Sequence, residues 1–221
     1  LLLAVSGGAD SVLLAHLLYM EGYNFEIAHC NFCLRGEESE KDASFVQQIA
    51  NRYNVSFHLK IFDTNAICER EKMSVQMAAR KLRYDWFDDL CIKNNFDFIL
   101  TAHHLDDSIE TFFINLLRGS GIKGLLGINP SRGKVIRPLL FLGKKEILSY
   151  IKEYQLEYRE DASNKEEKYL RNKIRNSLIP ILKEINPSYQ STILTDIQYL
   201  NQFYKVYSQR INQVKKIQTN E

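Results

Sequence analysis

The sequence has no apolar run near the ~18 residues that span a bilayer, so a membrane-spanning role is not expected. Its first residues carry no basic stretch followed by a cleavage site, so a signal peptide is not expected in them. Cysteine is scarce: Cys30, Cys33, Cys68 and Cys91 are too few in 221 residues for a disulfide scaffold. A reducing cytoplasm is therefore the expected setting. Internal repeats and low-complexity stretches are absent, and no closed set of four zinc ligands is apparent. Charge of one sign is lacking overall, since the net charge is only +2.

That near-neutrality hides an asymmetry. Residues 165–221 hold 10 Lys and Arg against 5 Asp and Glu. The rest of the chain is slightly acidic. A basic tail on an acidic body points to a polyanionic partner, although many basic helices are only solvated faces. Hydrophobic residues make up 45%, enough for one substantial core plus an appendage. The chain opens inside an apolar run, Leu1-Leu2-Leu3-Ala4-Val5, so the native chain is expected to begin earlier.

Strand and helix patterns alternate. Strands are expected at 1–5, 25–30, 55–62 and 96–102, with a short fifth at 134–137 before Pro138. Helices are expected at 9–21, 37–53, 75–95 and 106–117. In the third, Ala78, Leu82, Trp86, Leu90 and Ile92 are assigned to one apolar side. The alternation predicts an α/β fold: a Rossmann-like parallel sheet of about five strands with helices on both faces. After Gly143 the pattern is helical only, giving two expected domains, 1–142 and 143–221. Helices are read at 144–154 and at 169–182, the latter bending at Pro180, with a turn-rich break at Asp161-Ala162-Ser163-Asn164. A last helix opens at Pro187. Its Ile193, Ile197, Leu200, Tyr204, Tyr207, Ile211 and Val214 form a heptad-type seam. This suits a helix docked on its own domain or a strut toward a further one; self-association into a homodimer is the alternative.

Ligands on parallel sheets bind at the carboxyl ends of strands, near the switch in strand order. Two polar clusters fall at such ends. The first is Ser6-Gly7-Gly8-Ala9-Asp10-Ser11. Gly7 and Gly8 let backbone N–H groups approach an anion, and the following helix points its positive end at it. Ser6 and Ser11 add hydroxyl donors. Asp10 would repel phosphate unless it holds Mg²⁺. The pattern is neither a Walker loop nor a dinucleotide fingerprint.

The second cluster is Thr101-Ala102-His103-His104-Leu105-Asp106-Asp107-Ser108-Ile109-Glu110. Asp107 and Glu110 share a helix face and suit Mg²⁺ or the ammonium of an amine substrate. The His pair suits a phosphate donor or a proton shuttle. The plainer alternative is helix capping by Asp106 and Asp107 with one packed His. Arg118-Gly119-Ser120-Gly121-Ile122-Lys123-Gly124 is a cationic loop. It or Arg83 would neutralise charge developing on pyrophosphate, though a lone arginine such as Arg83 is equally often a surface residue.

The strand followed by Ser6-Gly7-Gly8-Ala9-Asp10-Ser11 resembles the PP-loop of ATP pyrophosphatases, which split ATP between its α- and β-phosphates. Further segments resemble one family within them, tRNA(Ile)-lysidine synthase. They are Leu34-Arg35-Gly36-Glu37-Glu38-Ser39, Ala78-Ala79-Arg80-Lys81-Leu82-Arg83-Tyr84, His103-His104-Leu105-Asp106-Asp107, residues 116–124, Ile136-Arg137-Pro138-Leu139-Leu140, Glu160-Asp161-Ala162-Ser163-Asn164 and Arg171-Asn172-Lys173-Ile174-Arg175. They cover about residues 1–180 in family order.

The resemblance implies that ATP adenylates the C2 oxygen of the wobble cytidine in an isoleucine tRNA with a CAU anticodon. Free L-lysine then displaces AMP. It implies ATP held by residues 6–11, Mg²⁺ helped by Asp10, and phosphate stabilised by Arg83 and His104. The lysine ammonium would fall to Asp107 and Glu110. Arg118, Lys123, Arg171 and Arg175, with Lys165, Lys168 and Lys173, would meet tRNA phosphates, and a C-terminal tRNA-binding region would follow the last helix. One segment departs from the family: Cys30-Asn31-Phe32-Cys33 creates a Cys-X-X-Cys. It raises the alternative of a PP-loop tRNA thiolase using Cys30 and Cys33.

Overall fold

The computed structural model describes residues 1–159 and 167–218. In chain order the elements are β1 (Leu2–Ala4), α1 (Ala9–Met20), β2 (Glu26–Asn31), α2 (Glu37–Tyr53), β3 (Phe57–Ile61), α3 (Thr64–Glu71), α4 (Val75–Lys93), β4 (Ile99–Leu100), α5 (Leu105–Leu117) and α6 (Gly121–Gly124). They continue with β5 (Ser131–Arg132), β6 (Val135–Ile136), α7 (Lys144–Glu153), α8 (Glu167–Lys173), a π-helical turn (Ile174–Leu178), α9 (Ile179–Ile185) and α10 (Tyr189–Gln218). They form two compact units: Leu1–His104 with Pro130–Asn164, and Leu105–Asn129 with Lys165–Glu221.

The first unit is a six-stranded sheet in the order β3-β2-β1-β4-β6-β5. All neighbours are parallel except β5 on β6. Six strands replace the expected five or so. The addition is β5, a two-residue strand without an apolar pattern. It exists because Gly133, at φ 58°, allows a two-residue hairpin turn into β6. The central strands β1, β2 and β4 are largely buried, as a parallel sheet covered on both faces requires, while the edge strands β3 and β5 are partly or fully exposed. Along β1 and β2, Leu3 and Ile27 enter one core while Leu2 and Ala28 enter the other, following the two-residue period. The first core gathers α1, α2 and α7 through Leu14, Val46 and Ile147. The second takes Trp86, Phe87, Leu90 and Cys91 from α4.

Ile92 does not join that core; it is 76% exposed. At 100° per residue the buried positions centre between Ala79 and Leu90, and Ile92 falls on the far side. The expected break after residue 142 differs from the two units, because α7 packs on α1 and buries Ile147 and Ile151 in the first core.

The second unit is helical. Leu105 and Ile109 of α5 pack with Tyr189, and Phe113, Ile179, Leu182, Ile193 and Leu194 pack around them. The predicted bend at Pro180 is a π-helical turn over Ile174–Leu178. Pro180 lacks an N–H and would clash with the carbonyl four residues back, so the wider turn relieves both. α10 packs on α5 and α6, with Ile197 buried and Asn201 donating to the Leu126 carbonyl. Of the predicted seam, Tyr207 faces outward and stacks on Phe203. The Val214 side chain, the Lys168 side chain, the turn at Asp161-Ala162-Ser163-Asn164 and Lys165 lie outside the described residues.

Candidate active site

In the first unit the sheet switches direction at β1. The chain moves outward to β2 and β3, then returns to place β4 on the other side of β1. Both the glycine loop after β1 and the residues after β4 emerge at this switch, where α/β sheets bind ligands. Gly7 has φ +94°, the left-handed region that favours glycine, and it packs beside the Phe45 ring. Gly8 caps α1, and the Ser11 hydroxyl donates to its carbonyl at 2.9 Å. The Ser6 N–H reaches the Ser11 hydroxyl, and the Gly8 N–H reaches the Ser6 hydroxyl. In the first turn of α1 the Ser11 N–H turns back to the Gly8 carbonyl at 3.1 Å, while helix geometry leaves those of Ala9 and Asp10 without an acceptor in the helix and suited to an anion.

Beneath this loop, buried His29 contacts the Val5 carbonyl through Nδ1 at 2.8 Å. A carbonyl only accepts, so Nδ1 carries the proton. Burial pushes the His29 pKa down, partly offset by that bond.

Asp10, in the first turn of α1, lies between two cationic or protonatable groups. Lys144 Nζ is 2.5 Å from Oδ1, and Nε2 of buried His104 is 3.8 Å from Oδ2. His103 contacts the Thr101 hydroxyl at 3.0 Å. Asp10 fits a Mg²⁺ site by donor chemistry: it is a hard oxygen ligand beside a phosphate-type loop, and Mg²⁺ takes one or two carboxylates plus phosphate oxygens. Among the described residues, no three His, Cys, Asp or Glu side chains gather as a closed metal cage.

Arg83 stands at the carboxyl end of β2, its guanidinium 5.3 Å from the Phe32 ring centre. It is close enough to Cys30 to favour the thiolate, yet burial outweighs it and pushes the thiol up to about 12. Cys30 is therefore a thiol at neutral pH. Cys33 is exposed.

Sequence reasoning missed a brace behind the loop. The Arg159 N–H donates to the Gly7 carbonyl at 3.0 Å. The Arg159 side chain reaches Asp42 at 2.5 Å and Glu38 at 2.7 Å. Asp42 is 6% exposed and also accepts from Arg35. No local motif marks Asp42 or Lys144; only the fold brings them to the loop.

The second unit carries the other predicted residues. Glu110, 2% exposed, accepts from Arg175 Nε at 2.7 Å and Nη2 at 3.1 Å. Arg171 Nε lies 3.2 Å from the same carboxylate. Burial raises the Glu110 pKa against the pull of Arg175, and the charge of neighbouring Asp107 adds to the rise. Asp106 accepts from Gln190 at 3.0 Å. Asp107 is half-buried on the same helix, while Arg118 and Lys123 are exposed. The two arginines expected at tRNA phosphates, Arg171 and Arg175, thus hold a buried carboxylate, whereas Arg118 and Lys123 face solvent.

Residues 1–182 match the PP-loop domain family. The chain is 44% identical over 215 residues to the tRNA(Ile)-lysidine synthase of Bacteroides thetaiotaomicron, covering 97% of this chain and 50% of that protein. It is 40% identical to that of Parabacteroides distasonis, covering 97% of this chain and 49% of that protein. The chain therefore spans about half the length of these curated relatives. Among solved structures, the U34-tRNA thiolase of Methanococcus maripaludis with its [4Fe-4S] cluster superposes with a TM-score of 0.73 at 20% identity, covering 90% of this chain and 71% of that one. At that identity the likeness concerns the fold.

Proposed function

Because this chain belongs to the PP-loop domain family, we propose that it is the ATP-binding part of a tRNA(Ile)-lysidine synthase, a ligase that splits ATP into AMP and pyrophosphate. The observation that carries the reading is Asp10, set between Lys144 and His104 at the end of a glycine loop at the sheet's switch point. The two relatives at 44% and 40% identity support the substrate assignment.

In this reading Ser6, Gly7, Gly8, Ala9, Asp10 and Ser11 hold the ATP phosphates. The C2 oxygen of the wobble cytidine attacks the α-phosphorus and pyrophosphate leaves. The ε-amine of lysine then attacks C2 and AMP leaves, producing lysidine in the CAU anticodon. Mg²⁺, held by Asp10 with phosphate oxygens, would supply charge neutralisation. Arg83 and His104 donate to phosphate oxygens as charge grows there. Both Glu110 oxygens accept from Arg175, and Asp107, half-buried on the same helix face, is the residue tested as the seat for the lysine ammonium. The thiolase alternative loses support from Cys30, whose burial keeps it protonated, whereas sulfur chemistry needs a thiolate.

The test follows the phosphates. With ATP labelled at the α- or γ-position and tRNA present, the labels are expected in AMP and pyrophosphate. ADP and orthophosphate would contradict the reading. Asp107→Asn is expected to raise the apparent KM for lysine about tenfold or more, as loss of a charged hydrogen bond does. An unchanged KM would remove Asp107 from that role.

A further inference from the structure

Lys144 belongs to no part of the glycine loop, yet its ammonium lies on Asp10 at 2.5 Å, across 134 residues of sequence. It is the first residue of α7, which Ile147 and Ile151 anchor to the core shared with α1. The base of the side chain is therefore fixed beside the loop while its end remains 39% exposed.

We propose that Lys144 is a nucleotide-phosphate ligand, stored on Asp10 while the loop is empty and transferred to the phosphates when ATP binds. The inference rests on the ATP reading of this site. A carboxylate in the first turn of an anion-binding helix opposes the anion. In the unliganded protein the lysine cancels that charge. With ATP and a divalent cation present, Asp10 would help hold the cation, and the Lys144 ammonium beside it would be available to the phosphates. The pair is only part-buried, with Lys144 39% and Asp10 28% exposed, so the ammonium keeps access to the open side of the loop. A lysine suits the exchange, because its flexible stem carries a compact charge with three donors.

The measurement is equilibrium binding of a non-cleavable ATP analogue, with a methylene between the α- and β-phosphorus, in the presence of Mg²⁺. Lys144→Met is expected to weaken it about 10- to 100-fold, and Lys144→Arg to recover most of the loss. The same Lys144→Met change is repeated in the Asp10→Asn background. A phosphate ligand still contributes there; a residue acting only through Asp10 does not. Loss in both backgrounds supports the inference. Unchanged affinity, or a loss confined to the protein with Asp10 intact, overturns it. Unfolding midpoints of each variant separate loss of a ligand from loss of fold. If the unaltered protein bound no analogue, the ATP reading itself would fall, and this inference with it.

Discussion

His29 acts on the phosphate loop without touching a ligand. Its Nδ1–H holds the carbonyl of Val5, the residue before Ser6, and burial keeps its pKa below the ordinary 6.5. The unfolded chain binds that proton more readily than the folded one. Stability from this group is therefore complete above pH 6.5 and is lost as pH falls through the lowered value. Urea unfolding at pH 7.5 and 5.5 is expected to show the folded state weakening in acid, and His29→Asn is expected to flatten that slope. Equal slopes in both proteins would contradict the assignment. The cysteines make the opposite case. Cys30 is held as a thiol, so Cys30→Ser and Cys33→Ser are expected to leave ATP-dependent AMP release at the unaltered rate. Loss of that activity in either variant would return sulfur chemistry to consideration.

At the scale of elements, α2 does more than cover the sheet. Its Asp42 binds Arg35 and Arg159, and the Arg159 backbone holds Gly7. Asp42→Asn leaves two guanidinium groups facing a neutral amide in a buried position. The expected loss is about 1–2 kcal/mol, since both guanidinium groups keep some solvent, read as a lower urea midpoint together with weaker ATP binding. Unchanged stability would mean the brace carries no weight.

The elements also explain what was readable in advance. Helix α2 was legible because Phe45, Ile49 and Tyr53 recur at helical spacing over its second half, behind an acidic first turn. α3 was not, since its short sequence has no strong pattern; the one available signal was Asp63, whose side chain caps it through the Ala66 N–H. The glycine loop was legible because its six working residues are contiguous. Lys144 and the Asp42–Arg159 pair were not, because their partners lie 134 and 117 residues away. Only the sheet order and helix packing bring such groups together.

At the scale of the whole molecule, four of the cationic residues expected at tRNA phosphates divide into two pairs. Arg171 and Arg175 hold buried Glu110, while Arg118 and Lys123 are exposed. Arg118→Ala or Lys123→Ala is therefore expected to weaken tRNA binding and reduce the salt slope by about one unit. Arg175→Ala is expected to lower stability by about 2–3 kcal/mol instead, by leaving a buried carboxylate short of its main partner. A pure salt-slope effect from Arg175→Ala, with stability intact, would reverse that division.

The central claim is that ATP cleavage at this loop drives transfer of lysine to RNA. It is tested most directly by incubating the protein with ATP, labelled lysine and isoleucine tRNA bearing a CAU anticodon. Label is expected to enter the tRNA only with ATP, and to vanish when the wobble cytidine is replaced. Pyrophosphate release without lysine transfer, or transfer that ignores the wobble base, would contradict it.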